Sequence, residues 1–134
     1  MQSQSTLETV SDYVTDIRTL LQDVVQPYRY DDPSLLTAFN VTLLEARRIR
    51  ADLFVYTHHD KVPAFQTVDN TQVDIEPSFR LAFVYGAASH ALARDQEDVQ
   101  DARASSFMDT FREMLTGVKP IPIAGGTPSG GVRK

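Results

Sequence analysis

Apolar positions recur at spacings of three and four in four stretches of the chain, and each stretch predicts an amphipathic helix. In the first, Val10, Tyr13, Val14, Ile17, Leu20, Leu21 and Val24 trace one stripe, with Asp12, Asp16, Arg18 and Asp23 on the other face. This helix is expected to start near Ser5 or Thr6, with Thr6 as cap and Glu8 in an acidic first turn. Pro27 is expected to end it. The second stretch carries Leu35, Leu36, Phe39, Leu43 and Leu44 on one face and is expected to run to about Arg50. Tyr28-Arg29-Tyr30-Asp31-Asp32-Pro33 opens it. Asp32 is placed to cap and Pro33 suits the first helical position, while Tyr28 and Tyr30 can pack back onto the helix as a staple. So short a connection predicts antiparallel neighbours, with this stretch as the structural corner between them.

After the second helix, Leu53-Phe54-Val55-Tyr56 fits either a further helical turn or a short strand. From Thr57 to Pro77 helical periodicity is lost, and Pro63, Asp69-Asn70 and Pro77 punctuate the chain. Val62, Phe65, Val68, Val73 and Ile75 are spaced as in extended segments. An extended arm or a small β-hairpin is expected here, with Val73-Asp74-Ile75 the best strand candidate.

Glu76-Pro77-Ser78 opens the third helix, whose Gly86, Ala87, Ala88, Ala91 and Ala93 let another helix approach closely. A corner is expected at Arg94-Asp95-Gln96-Glu97-Asp98, followed by a fourth helix with Glu97, Asp98 and Asp101 in its first turn. Phe107, Phe111 and Leu115, four apart, form that helix's ridge, and Gly117 fits its C-terminal cap. The fold expected is mainly α: a four-helix, bundle-like protomer over residues 1–117, with an extended arm or small β-hairpin between helices two and three. Residues 118–134 follow as an extended C-terminal tail. In it Val118, Pro120, Ile121, Pro122 and Ile123 form an apolar strip with no helical option, read as an arm that docks in a groove or along a sheet edge.

At 134 residues and 42% apolar, the chain suffices for one modest core. A formal charge of −5 argues against a dedicated nucleic-acid binder, though not against a channel wall past which DNA slides. The absence of cysteine excludes a disulfide framework. Met1-Gln2-Ser3-Gln4-Ser5 has neither a basic region nor a following apolar run, so no secretion signal is expected, and no stretch is long enough for a membrane span.

Candidate chemistry is sparse. His58-His59-Asp60 has a metal-site flavour, but adjacent histidines diverge in strand and helix alike. His90 stands alone in the sequence. Asp95, Glu97, Asp98 and Asp101 lack the central glycine and closing glutamate of a calcium loop, and Gly125-Gly126-Thr127-Pro128 lacks the lysine of a phosphate loop. No nucleophile elbow occurs. No catalytic residue, metal or cofactor is therefore expected, and the chain is read as a non-enzyme. Arg47, Arg48 and Arg50 close the second helix. They complement its dipole, or form a basic patch for a partner or DNA.

The order of these features resembles the head-to-tail adaptor (connector) proteins of tailed bacteriophages, in particular short-tailed ones. The likeness covers roughly residues 7 to 117. It rests on Leu20-Leu21-Gln22-Asp23, Tyr28-Arg29-Tyr30 with the Asp-Pro helix start, and Leu35-Leu36-Thr37-Ala38-Phe39-Asn40 running on to Arg48-Ile49-Arg50-Ala51-Asp52. Phe79-Arg80-Leu81-Ala82-Phe83-Val84-Tyr85-Gly86, the acidic corner, Arg103-Ala104 and the Phe107–Phe111–Leu115 ridge complete it. Ala51 stands where many relatives carry proline. The resemblance implies a structural virion protein whose copies form a ring, dodecameric in the family, joining the capsid portal to the tail (nozzle or tube) protein. It implies that genome DNA passes through the ring without specific binding, that C-terminal arms reach along the portal, and that the site is the virion neck, assembled in the host cytoplasm. A different class remains open: a small helical DNA-binding or packaging-accessory protein acting through Arg47, Arg48 and Arg50.

Overall fold

The computed structural model describes residues 6–54, 64–94 and 102–117. Among these residues it is mainly helical, with four α-helices: α1 Val10–Leu21, α2 Asp32–Ile49, α3 Arg80–Arg94 and α4 Arg103–Thr116. Short 3-10 turns cover Ala51–Phe54 and Pro77–Phe79. No strand is formed among the described residues; the only pairing of that kind is an isolated bridge between Thr9 and Gln72.

α3 is the centre, packed against the other three helices. Its small residues allow this: Ala82, Gly86, Ala87, Ala88 and Ala91 are all buried. A Cβ at Gly86 would lie 2.6 Å from Thr42 Cγ2 of α2 and 2.9 Å from Phe111 Cδ1 of α4, so only glycine fits where these helices meet. Tyr13, Phe39, Phe83 and Phe111 are the largest fully buried side chains. Tyr13 stacks on Phe39, and Phe83 meets Phe111 edge-on. The ridge of α4 holds as expected at Phe111 and Leu115, with Phe107 packing edge-on against Tyr85, and Gly117 caps the helix at φ 75°.

Several boundaries differ from expectation. α1 starts later than Thr6, at Val10, where Thr9 and Asp12 form a reciprocal capping box. The chain entering it is tied to the segment before α3: Val73 N–H donates to Glu8 O, and Val10 N–H to Thr71 O. Thus the Val73–Ile75 segment pairs with the chain entering α1 and does not form a strand of its own. α1 also ends early, well before Pro27, because Gln22 takes a left-handed φ of 62°. Val24 consequently leaves the stripe and lies exposed, as does Leu44 on α2. The cap of α2 is Asp31, which accepts from Ser34 N–H, so Asp32 and Pro33 are its first two residues. Hydrogen bonds from the Ser34 side chain and backbone hold the Asp31 carboxyl below the usual range.

The Leu53-Phe54 segment resolves as a 3-10 turn, with Val55 and Tyr56 outside the described residues. α4 starts at Arg103 with no side-chain cap, past the carboxylates of Glu97, Asp98 and Asp101. Those three, the corner from Asp95 on, Val62 and Pro63, His58-His59-Asp60 and residues 118–134 lie outside the described residues.

Candidate interaction surface at the α1–α2 corner

The corner is built on Arg18 and Asp23, which the periodicity placed on the polar face of α1. Both are buried, at 7% and 8% exposure. The Arg18 guanidinium lies 2.9 Å from Asp23 Oδ2 and 2.6 Å from Asp32 Oδ1, and it donates to Tyr30 O at 2.8 Å. Its Cζ lies over the Tyr28 ring, 3.8 Å from the ring centre. Asp23 in turn accepts from the backbone N–H groups of Arg29 and Tyr30, at 2.8 and 3.0 Å. One carboxylate therefore closes the loop on itself, and one guanidinium fixes it to both helices. A buried ion pair of this kind persists because every group in it is hydrogen-bonded.

Tyr28 and Tyr30, expected to act together as a staple, divide the work. Tyr30 is in the core, while Tyr28 covers Arg18 and stays partly exposed. Between the two clamped ends, residues 24 to 29 are all exposed. Val24 is 57% and Val25 77% exposed, and the peptide bond from Gln26 to Pro27 is cis. The result is an exposed loop, carrying two valines, on a fixed base. Beside it opens a shallow cleft of about 470 Å³, with Tyr28 to Asp31 and Ser34 on one wall and Ala91 and Arg94 of α3 on the other.

A second apolar surface lies on α2. Thr37, Val41, Leu44 and Arg48 are exposed at spacings of four, three and four, opposite the buried face of Leu35, Phe39, Thr42 and Ala46. The three basic residues at the end of this helix do not act together. Arg48 faces solvent, whereas Arg50 pairs with Asp52, donates to Leu115 O at 2.6 Å and lies over the Phe79 ring. Arg50 thus serves the carbonyl end of α4, not a shared basic face. Arg47 is half-buried.

His90 is not alone in space. Its Nε2 lies 2.9 Å from Glu45 Oε1, and Arg112 donates to the other Glu45 oxygen at 3.0 Å, so one carboxylate joins α2, α3 and α4. Burial pushes the Glu45 carboxyl up, but the hydrogen bonds from Arg112 and His90 outweigh it and the net shift is downward. The extended segment is pinned by Asn40, whose side chain donates to Phe65 O at 2.8 Å and accepts from Phe65 N–H at 3.0 Å. Among the described residues no group of three or more His, Cys, Asp or Glu could hold a metal ion, and no helix is long and apolar enough to cross a membrane.

No protein-family model, curated protein or solved structure matches the chain.

Proposed function

We propose that the chain is a non-enzymatic structural adaptor of a phage neck, whose copies form a ring between the capsid portal and the tail and surround the DNA channel. In this reading the helical body of residues 1–117 is the wedge of the ring, with the segment between α2 and α3 as a short arm. Residues 118–134 are the strip that docks on the portal. The observation that supports it best is that, among the described residues, apolar side chains are exposed at two separate places: Val24 and Val25 at the corner, Val41 and Leu44 on α2. The stretches carrying the family resemblance, Leu20–Asp23 and Tyr28–Pro33, are also the ones that build the corner.

The test is portal binding. The full chain and a version lacking residues 118–134 are each mixed with the portal protein of the same genome and separated by size. The full chain is expected to co-migrate with the portal and the truncated one to stay behind. Equal binding by both refutes the docking role of the tail. Failure of the full chain to bind refutes the adaptor reading.

A further inference from the structure

The four helices are not held equally. α1 buries six of its 12 residues, α2 seven of 18 and α3 nine of 15, but α4 buries only Phe111 and Leu115 of its 14. α4 packs chiefly on α3 and more lightly on α2, whereas α3 also packs on α1 and α2. Polar ties reach α4 along its length. Ser89 of α3 donates to Ala104 O at 2.6 Å, Arg112 donates to Glu45 of α2 at 3.0 Å, and Arg50 at the end of α2 donates to Leu115 O at 2.6 Å. The Arg112 side chain is mostly exposed, so its pair with Glu45 is screened by water and modest. The features that fix the rest of the body lie elsewhere. The Tyr13–Phe39 stack, the Arg18–Asp23–Asp32 corner and the Asn40–Phe65 tie involve only α1, α2, the loop between them and the segment before α3. Lifting α4 breaks none of them.

We infer that α4 opens from α3 as a unit while α1, α2 and α3 stay assembled, with Glu45, Arg50 and Ser89 as the clasps that hold it shut. The inference is independent of the adaptor reading. Local opening of this kind follows where few apolar groups are buried and packing partners are few. Gly86 is the seat for closing, because Phe111 lies against space that a side chain at position 86 would fill. Opening uncovers Phe111 and Leu115 on α4, and on α3 it uncovers the Gly86 notch and Phe83, which meets Phe111 edge-on. The closed protein hides these apolar faces and the open one presents them. α4 is thus a latch: it controls a surface that exists only in a minor state, and the ties at its rim set how often that state is visited.

The chain has no cysteine, so a single introduced thiol reports opening at one place. Ser89→Cys lies on α3 where α4 covers it, and Val14→Cys lies on α1; both positions are 4% exposed. Each full-length chain is treated with the thiol reagent DTNB in native buffer and in low urea. The thiol at position 89 is expected to react at least about tenfold faster than the one at position 14. Its rate should also depend less on urea, because less surface is exposed on opening than on unfolding. Asn40→Ala separates the two routes. It breaks the tie to Phe65, which the open state keeps and the unfolded state loses. It should therefore speed the reaction at position 14 by about fivefold and leave position 89 unchanged. Glu45→Gln removes a tie that both states lose, so it should speed both reactions by about threefold. Equal rates at the two positions, or an Asn40→Ala effect shared by both, would mean that α4 leaves only when the whole body unfolds, and would overturn the inference. No effect of Glu45→Gln at position 89 would overturn the part assigned to Glu45. Because Ser89→Cys alters its own bond to Ala104 O, amide exchange of the parent chain supplies an independent reading. Amides of α4 should be at least about tenfold less protected than those of α1 and α3, and equal protection would overturn the inference.

Discussion

Replacing Gly86 by alanine probes the packing on which the whole body depends. In a free helix the change is favourable by about 1 kcal/mol, because glycine loses more backbone freedom on folding. Here the added methyl carbon would sit 2.6 Å from Thr42 Cγ2, and 2.9 and 3.1 Å from Phe111 Cδ1 and Cε1. Thr42 and Phe111 are fully buried, and the ring of Phe111 is fixed edge-on against Phe83, so neither can swing aside into solvent. Overpacking of a filled core costs roughly 1–3 kcal/mol, and two simultaneous contacts put the cost near 3. The net expectation is a loss of about 2 kcal/mol, measured by urea unfolding followed by circular dichroism.

A companion change separates this from a general defect. Thr42→Ser removes the Cγ2 methyl but keeps the hydroxyl that donates to Ala38 O at 2.8 Å. Alone it should cost about 1 kcal/mol for the vacated space, but in the presence of Ala at position 86 it should be neutral or stabilising, a coupling of about 1 kcal/mol. If G86A is as stable as the parent, or if the two changes simply add, the helices are not in contact through this glycine and the arrangement around α3 is wrong.

Four other outcomes follow from the structure. Arg18→Ala should cost about 3 kcal/mol in unfolding experiments, and Arg18→Lys should not restore it, because one ammonium cannot reach Asp23, Asp32 and Tyr30 O together from beneath the Tyr28 ring as the forked guanidinium does. Gln22→Gly should stabilise by about 0.5–1 kcal/mol in thermal melts, since residue 22 holds φ 62°; a loss would contradict the left-handed cap. Tyr13→Phe should be at least as stable as the parent, because the Tyr13 hydroxyl is buried and has no hydrogen-bond partner among the described residues; a loss above about 1 kcal/mol would reveal a partner. The Glu45 carboxyl is held below its usual value of 4.5, so its contribution is complete above that pH and is lost as pH falls through the lower folded value. Acid unfolding of Glu45→Gln should lack that component, and an unchanged acid limb would argue against the three-helix node.

Much of the body was legible in hydrophobic spacing. The four helices, the α4 ridge, the Gly117 cap and the close approach along α3 all follow from local pattern. The corner was legible only in outline. Arg18 falls one turn after Val14 and directly after Ile17, at the edge of the apolar stripe, and a charge there can turn either way. What turned it inward was Asp23 and Asp32, and nothing in periodicity reports that a carboxylate five residues on will fold back over a helix end. Long-range pairs were invisible for the same reason. Glu45, His90 and Arg112 are joined only once three helices are packed, and Asn40 finds Phe65, 25 positions further along the chain. The early end of α1 escaped because Pro27 offered a plausible stop, while the actual stop is a left-handed Gln22 stabilised by the loop beyond it.

The most direct test of the adaptor account is the native mass of the full chain, alone over a range of concentrations and then with the portal of the same genome. The account predicts a weakly associating species that becomes a closed ring of many copies once the portal is present. A chain that remains a single copy in both conditions contradicts it.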